Sequence, residues 1–514
     1  MGVACNGCGH ENRLVASYCG KCAKPLTGRV DCPRCASHNP TVQNYCNSCG
    51  SPLAGTKGKR TASLVAAAKS TLSGKPVWAS SVPSASGDRK KSADAAKIAT
   101  VVIIGAILVV TRLWGLDSTP SEMTLAEEAF LQVARQIEFE GWIGLSHSIL
   151  DGALTGYAYV LSFWTNFIGD DIGMARLLSG VASLASIGVS YLLVAHLFNR
   201  RVALFATFLM AVGVWPLTYA RLALPTCVLL LVLVTALYLL RRAMHEETDD
   251  STRSRLLVFS GALVGLSLYL DFAAIVFAVA AFCLWLRFYA AGTISPRVLG
   301  ERFAAFALPA LIISLPFWAA AAADSSLRDE VKLLLVTETP GYAQSEGVMG
   351  KLRTVTGNVA NTGRALIWST NADEFGQGGG RIVDPLTGLL VLIGLLVCLR
   401  KWREESCGAL LAVLVVVIVG VGLTRQEGMF GRLIIAAPIV FALAGFAADW
   451  LLSWLKGRIP DTATIAFIAL LAAAVIFSNL SAYYAHPIGE DPTLWLGSVI
   501  EHPPPQHAIA WNAP

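Results

Sequence analysis

The chain has 514 residues, 54% hydrophobic and only 15% charged, with a formal net charge of +5. Soluble globular domains carry about 25% charged residues, so this composition excludes the ordinary soluble classes. Recurrent apolar runs of roughly 20 residues instead predict a mainly α, polytopic helical membrane protein.

The first 53 residues are of a different kind. Cys5, Cys8, Cys19 and Cys22 form two C-x2-C knuckles, and Cys32, Cys35, Cys46 and Cys49 repeat the pattern 27 residues on. Even the flanks repeat, "YCGKCAKPLTG" against "YCNSCGSPLAG". Four thiolates at two knuckles suit tetrahedral zinc, and so short a piece has no core without metal. A disulfide framework is the alternative in an oxidising compartment. The duplication, with no signal peptide ahead of it, favours two structural zinc ions. The segment resembles the double zinc ribbon. Ribbons can bind nucleic acid, but five Lys or Arg against two acids is a thin electrostatic footprint. A cytoplasmic protein partner is the better expectation.

Residues 54–97 are rich in Ser, Ala, Gly and Lys, with nine basic residues against Asp88 and Asp94, and read as a flexible basic tether. The last of these bases adjoin the first apolar run, which sets the N-terminus in the cytoplasm and lets the tether meet anionic lipid.

From residue 98 the pattern predicts about eleven spans: 98–116, 174–198, 202–219, 222–240, 255–270, 272–289, 303–320, 385–400, 407–423, 432–455 and 462–484. Arg200–Arg201, Arg241–Arg242, Arg297 with Arg302, Arg400–Lys401 with Arg403, and Lys456 with Arg458 then all fall on the cytoplasmic side. The membrane domain is 98–484, in a prokaryotic plasma membrane, and the tail 485–514 is extracytoplasmic. The run 256–286 has Asp271 as its only charge, and splitting it there keeps the later basic loops inside. An ionisable residue between two apolar halves is a candidate substrate-binding group; an external turn is the plainer reading. The stretch 149–168 reads as an interfacial or re-entrant helix.

The segment 117–173 is then external, with nine acids against Arg135 alone. A second external loop spans 321–384. In the first, Thr119, Pro120 and Glu122 have the form of a helix start with a capping box, predicting a helix to about Glu140. The sequence "TLAE", Thr124 to Glu127, is a second capping box, for a later start. Met123, Ala126, Phe130, Val133, Ala134 and Ile137 make an apolar stripe. Glu127 falls on its flank and Glu128 nearly opposite, which would hold Glu127 at the boundary of lipid and water.

The segments "RLWGLDSTP" and "EEAF", followed by Gly169 to Ala243, "DPLTGLLVLIGLL" and "RLIIAAPIVFALAG", resemble the GT-C glycosyltransferases over roughly 98–455. The likeness is especially to the protein O-mannosyltransferases and the lipid A aminoarabinose transferases. In that family the first external loop carries an Asp-Glu pair, and the sugar comes from a polyprenyl-phosphate carrier. The resemblance implies Glu127 as general base and Glu128 as a supporting carboxylate or ligand to a divalent metal. It implies Arg221 at the donor phosphate; Arg176 joins the candidate substrate-binding residues but is more simply a structural partner of Asp170 or Asp171. The acceptor is unknown. Glu127 departs from the family aspartate by one methylene, and catalytic geometry is sensitive to such a displacement. The alternative is therefore a non-catalytic membrane scaffold whose ribbons recruit a partner.

Overall fold

The computed structural model describes residues 102–485, apart from 121–122, 151–153, 246–247, 273, 291–294, parts of 326–338, 368–382, 425–428 and parts of 456–459. Ahead of these it describes 3–4, 11–12, 21–22, 29–31 and 38–40. The chain divides into two compact units, Met1–Ser92 and Ala93–Pro514.

In the first unit β1 (Val3–Ala4) pairs antiparallel with β2 (Glu11–Asn12), and β3 (Arg29–Asp31) with β4 (His38–Pro40). Val3 faces Asn12 and Val30 faces Asn39, so the pairing repeats at the same 27-residue offset as the cysteines. Each pair brackets the first knuckle of its set. Of the eight ribbon cysteines only Cys22 is among the described residues.

The second unit is helical. In chain order it contains α1 (Val102–Leu113), α2 (Leu125–Glu140), α3 (Gly156–Ile168), α4 (Ile172–Leu197), α5 (Arg200–Val212), α6 (Val214–Ala220), α7 (Pro225–Ala243) and α8 (Asp250–Ser267). Then follow α9 (Ala274–Ala290), α10 (Pro296–Ala323), α11 (Gly347–Ala365), α12 (Pro385–Arg400), α13 (Glu405–Gly422), α14 (Ala437–Leu455) and α15 (Asp461–Ala485). Starts are set by capping chemistry. The side chains of Asp171, Asn199, Asp249 and Asp384 accept first-turn N–H groups of α4, α5, α8 and α12. Pro225 and Pro385 fill first-turn positions where no N–H is needed.

A helix occupies each of the eleven regions expected to span. Among the described residues six helices are by themselves long and apolar enough to cross a membrane, and the pair α5–α6, bent by 60°, makes a seventh. The others are shorter or more polar: Val102–Leu113, Asp250–Ser267, Ala274–Trp285 and Pro385–Arg400. The run 256–286 is two helices, α8 and α9, with Asp271 in the turn between them; its N–H reaches back to the Ser267 carbonyl.

Small residues let helices touch. In α8, Gly261 and Gly265 lie one turn apart, and a Cβ on them would sit 1.9 Å from the Phe306 carbonyl oxygen and 2.6 Å from that of Ala310. The α8–α10 contact is thus backbone against backbone. At the bend between α5 and α6 the Val214 N–H is freed, and the Asn479 side-chain oxygen accepts it at 3.0 Å. Asn479 also donates to Asp384 at 2.9 Å, tying α15 to the bend and to the start of α12.

Candidate active site

Four charged side chains are buried together where α1 ends and α4 and α7 begin: Arg112, Arg176, Arg221 and Glu127, none more than 1% exposed. Burial of charge is costly without partners, so the contacts account for the arrangement. Arg112 donates to the Met210 and Ala211 carbonyls at 2.9 and 2.7 Å and to Ser183 Oγ at 3.2 Å. Those carbonyls belong to the last turn of α5, where the 60° bend leaves acceptors without helical donors. Arg221 does the same for α1. It donates to the carbonyls of Thr111, Trp114, Gly115 and Thr119, with distances of 2.8 to 3.1 Å. A cation at a helix C-terminus is also favoured by the helix dipole.

Arg176, one turn into α4, meets the Glu127 carboxylate with two N–H groups, Nε to Oε1 at 2.8 Å and Nη2 to Oε2 at 3.1 Å. Its Nη1 donates to the carbonyls of Leu116 and Pro120. Glu127 accepts three further bonds: from the Ala223 N–H at 2.8 Å, the Thr124 N–H at 3.0 Å and Thr124 Oγ1 at 3.1 Å. A carboxylate offers about four lone-pair sites, so five donors leave none over.

The helix start follows from the same contacts. α2 begins at Leu125, with Thr124 and Glu127 forming a reciprocal capping box. The earlier start at Thr119–Pro120 is not used, because the carbonyls of those residues are held by Arg221 and Arg176. From Leu125 the buried face runs Glu127, Phe130, Leu131, Val133, Ala134 and Ile137. Glu127 therefore lies inside the protein rather than at a lipid–water boundary. Arg176 pairs with Glu127, not with Asp170 or Asp171; Asp171 caps α4 and Asp170 lies 3.6 Å from exposed Arg135. Arg221 directs its donors at backbone, not outward toward a phosphate. Glu128 is exposed on the opposite side of α2.

Asp271 stands apart from this cluster but at the same end of the bundle. The start of α3 presses on the α8–α9 turn, where a Cβ on Gly156 would come within 1.9 Å of the Tyr269 carbonyl oxygen. The ring of Tyr157 meets that of Phe130 edge-on at 5.2 Å, which fastens α3 to α2. Among the described residues no group of three or more His, Cys, Asp or Glu side chains is arranged to hold a metal ion.

Arg112 and Asn479 were not among the residues singled out by sequence, and Thr124 was read only as a helix cap, not as a partner of the site. Arg112 had a signal, a charge closing an apolar run.

A family model described as dolichyl-phosphate-mannose-protein mannosyltransferase matches residues 155–319, from the last residue before α3 into α10. ArnT from Cupriavidus metallidurans, solved bound to undecaprenyl phosphate, is similar with a TM-score of 0.51 and 18% identity over 74% of this chain and 65% of that one. The membrane unit shares the fold of that protein. The archaeal oligosaccharyltransferase AglB from Archaeoglobus fulgidus, solved with an inhibitory peptide and a dolichol-phosphate, shares that fold with a TM-score of 0.53 and 14% identity, over 77% of this chain and 56% of its own. This chain thus spans about two thirds of ArnT and little more than half of AglB. No curated protein matches the sequence. The family match begins after α2, so the Glu127–Glu128 pair lies outside it.

Proposed function

We propose that this chain is a membrane glycosyltransferase that moves a sugar from a polyprenyl-phosphate donor to an extracytoplasmic acceptor. The fold and the matched family model support the reaction class. The observation that carries the assignment of roles is the lock on Glu127: five donors from α2, α4 and the α6–α7 link fix the first turn of α2. That rigid turn presents the exposed carboxylate of Glu128, and preorganised groups on rigid elements are what catalysis needs. Glu128 is the general base. The acceptor oxygen attacks the anomeric carbon, its proton passes to Glu128, and the bond from sugar to phosphate breaks with its electron pair leaving on the polyprenyl phosphate. Glu127 and Arg176 are positioning residues, and Arg221 holds the end of α1. Asp271, in a turn at the same end, is a candidate for contacts to the sugar.

In the same reading the N-terminus is cytoplasmic, the C-terminus extracytoplasmic and the membrane a prokaryotic plasma membrane. The eight ribbon cysteines hold two zinc ions. A knuckle framed by a short antiparallel pair is a suitable frame for two of four thiolate ligands. The ribbons then serve a cytoplasmic protein partner.

One observation favours a second reading, the non-catalytic scaffold: Arg176 and Arg221 are engaged by internal contacts. The test is transfer by the full-length protein in vesicles, over a panel of polyprenyl-phosphate sugars and hydroxyl acceptors. Wild-type turnover that falls at least about 10²-fold in Glu128→Gln, with unchanged melting, supports the enzyme. An inactive wild type across the panel selects the scaffold.

A further inference from the structure

Helix α3, "GYAYVLSFWTNFI", contains no charged residue. Both its ends are held at the same end of the bundle. Gly156 lies against the backbone of Tyr269 in the α8–α9 turn, and only Gly169 to Asp171 separate Ile168 from the long helix α4. The Trp164 ring N–H donates to the Met174 carbonyl at 2.9 Å, which ties α3 to the first turn of α4. At 13 residues the helix is about 20 Å long. With its ends fixed at two helix ends on one side, it lies across the bundle and does not run into it.

One face of α3 is buried, through Tyr157, Ala158, Leu161 and Thr165. The opposite face is apolar as well. Val160, Phe163, Phe167 and Ile168 follow one another at helical spacing and are exposed, the two phenylalanines at 70% each. The neighbouring helix α2 is built the other way: Glu128, Gln132, Arg135 and Glu138 lie on its exposed face. That is the pattern of a helix that meets water, whereas α3 is apolar on both sides. At the end of α2 Phe139 and Trp142 are exposed too, and the Trp142 ring stacks on that of Tyr159 in α3 at 5.2 Å. An indole thus stands beside the outer face of α3, and tryptophan favours a lipid–water boundary.

Chain continuity names what covers this face. Ile168 is four residues from Ile172, no more than about 14 Å, and α4 is one of the six helices able to cross a membrane. The outer face of α3 therefore borders the surface that lipid covers. We propose that α3 lies flat in the leaflet on that side. Val160, Phe163 and Phe167 sink about 5–10 Å into the boundary of headgroups and acyl chains, and Trp142 sits at the rim. Through the Phe130–Tyr157 and Trp142–Tyr159 ring contacts, the leaflet then sets the height of α2. The inference is independent of the reaction proposed above.

The test uses the full-length protein in vesicles of phosphatidylethanolamine and phosphatidylglycerol, with the photo-crosslinking residue p-benzoylphenylalanine in place of Phe163, of Phe167 or, for comparison, of Gln132 on α2. After illumination, intact-mass spectrometry counts chains that have gained one lipid, and fragmentation locates the new bond on the lipid. Lipid adducts at Phe163 and at Phe167 should be at least about fivefold more frequent than at Gln132, with the bond on an acyl chain. Melting temperature verifies that each variant is folded. The rings replaced are exposed, so folding should be kept; should one α3 variant fail, the other decides. Adducts at a folded α3 variant no more frequent than at Gln132 overturn the proposal. So do adducts confined to lipid headgroups, or crosslinks to a second copy of the chain in place of lipid, which would make this face a contact between proteins.

Discussion

Replacing Glu127 by Gln is the sharpest test of the buried lock. Oε1 accepts from Arg176 Nε and the Ala223 N–H, while Oε2 accepts from Arg176 Nη2, the Thr124 N–H and Thr124 Oγ1. A glutamine can keep only one of these oxygens. Its NH2 group must then face at least two donors, and Arg176 is left as a buried cation without its anion. Each unsatisfied buried donor costs about 1–3 kcal/mol. Removing one partner of a buried ion pair costs about 3–5 kcal/mol, and because these overlap we expect about 3–5 kcal/mol in all. Denaturant unfolding and melting in mild detergent should record the loss. The double variant Glu127→Gln, Arg176→Gln should fall short of the sum of the single losses by about 0.5–3 kcal/mol, since the pair is in contact. Any loss of transfer in Glu127→Gln should track the loss of fold. A variant as stable as wild type to within about 0.5 kcal/mol that loses transfer 10²-fold would falsify the positioning role, because Glu127 would then be the reacting carboxylate.

Asn479→Leu strips an acceptor from the Val214 N–H and a donor from Asp384 and should cost about 2–4 kcal/mol in unfolding, whereas a neutral effect would mean that the bend is not held from α15. Gly261→Leu cannot be accommodated while the Phe306 carbonyl stays in place, so α8 and α10 should separate, seen as faster proteolysis or a large drop in melting temperature; unchanged melting would refute the backbone contact. Metal analysis of the full-length protein should find two zinc ions per chain, released when the ribbon cysteines are replaced; finding disulfides there instead would refute the zinc assignment. The Asp249 carboxyl, whose pKa is lowered to about 2 chiefly by the Thr252 N–H, caps α8. A depressed pKa means that the cap is in place above about pH 4, the ordinary range for Asp, and is lost as pH falls toward 2. Asp249→Asn should flatten that acid limb, and an unaltered limb would show that the cap does not contribute.

Length and apolarity made the helical membrane unit legible, and the single charge Asp271 marked where a run of about thirty residues turns back. The N-terminal repeat was equally plain, because the cysteines and their flanks recur together. The candidate site was legible only as a set of residues. Two capping boxes were written into 119–127, and nothing local chooses between them. The choice is made by Arg176 and Arg221, which reach Glu127 across 49 residues and Thr119 across 102. Periodicity put Glu127 on the flank of an apolar stripe, which is compatible with a lipid boundary or with a buried ion pair. Only the incoming Arg176 and the Ala223 N–H separate the two. Arg221 likewise sat at a helix end in sequence, where an outward phosphate contact and a carbonyl clasp look the same.

Arg112 and Arg221 grip peptide oxygens far more than side chains, with Ser183 and Thr111 Oγ1 as the exceptions. Carbonyl oxygens are present whatever residue carries them. The segment from Trp114 to Thr119 can therefore change its letters without loosening the clasp, provided its path is kept. The arginines have no substitute, since a lysine reaches with a single nitrogen and cannot span two or more oxygens in a plane. Tolerance to substitution should thus be lopsided across each contact, nearly nil at the arginine and wide at the segment it holds. Two chains could share this corner of the bundle in atomic detail while sharing little spelling there beyond the arginines.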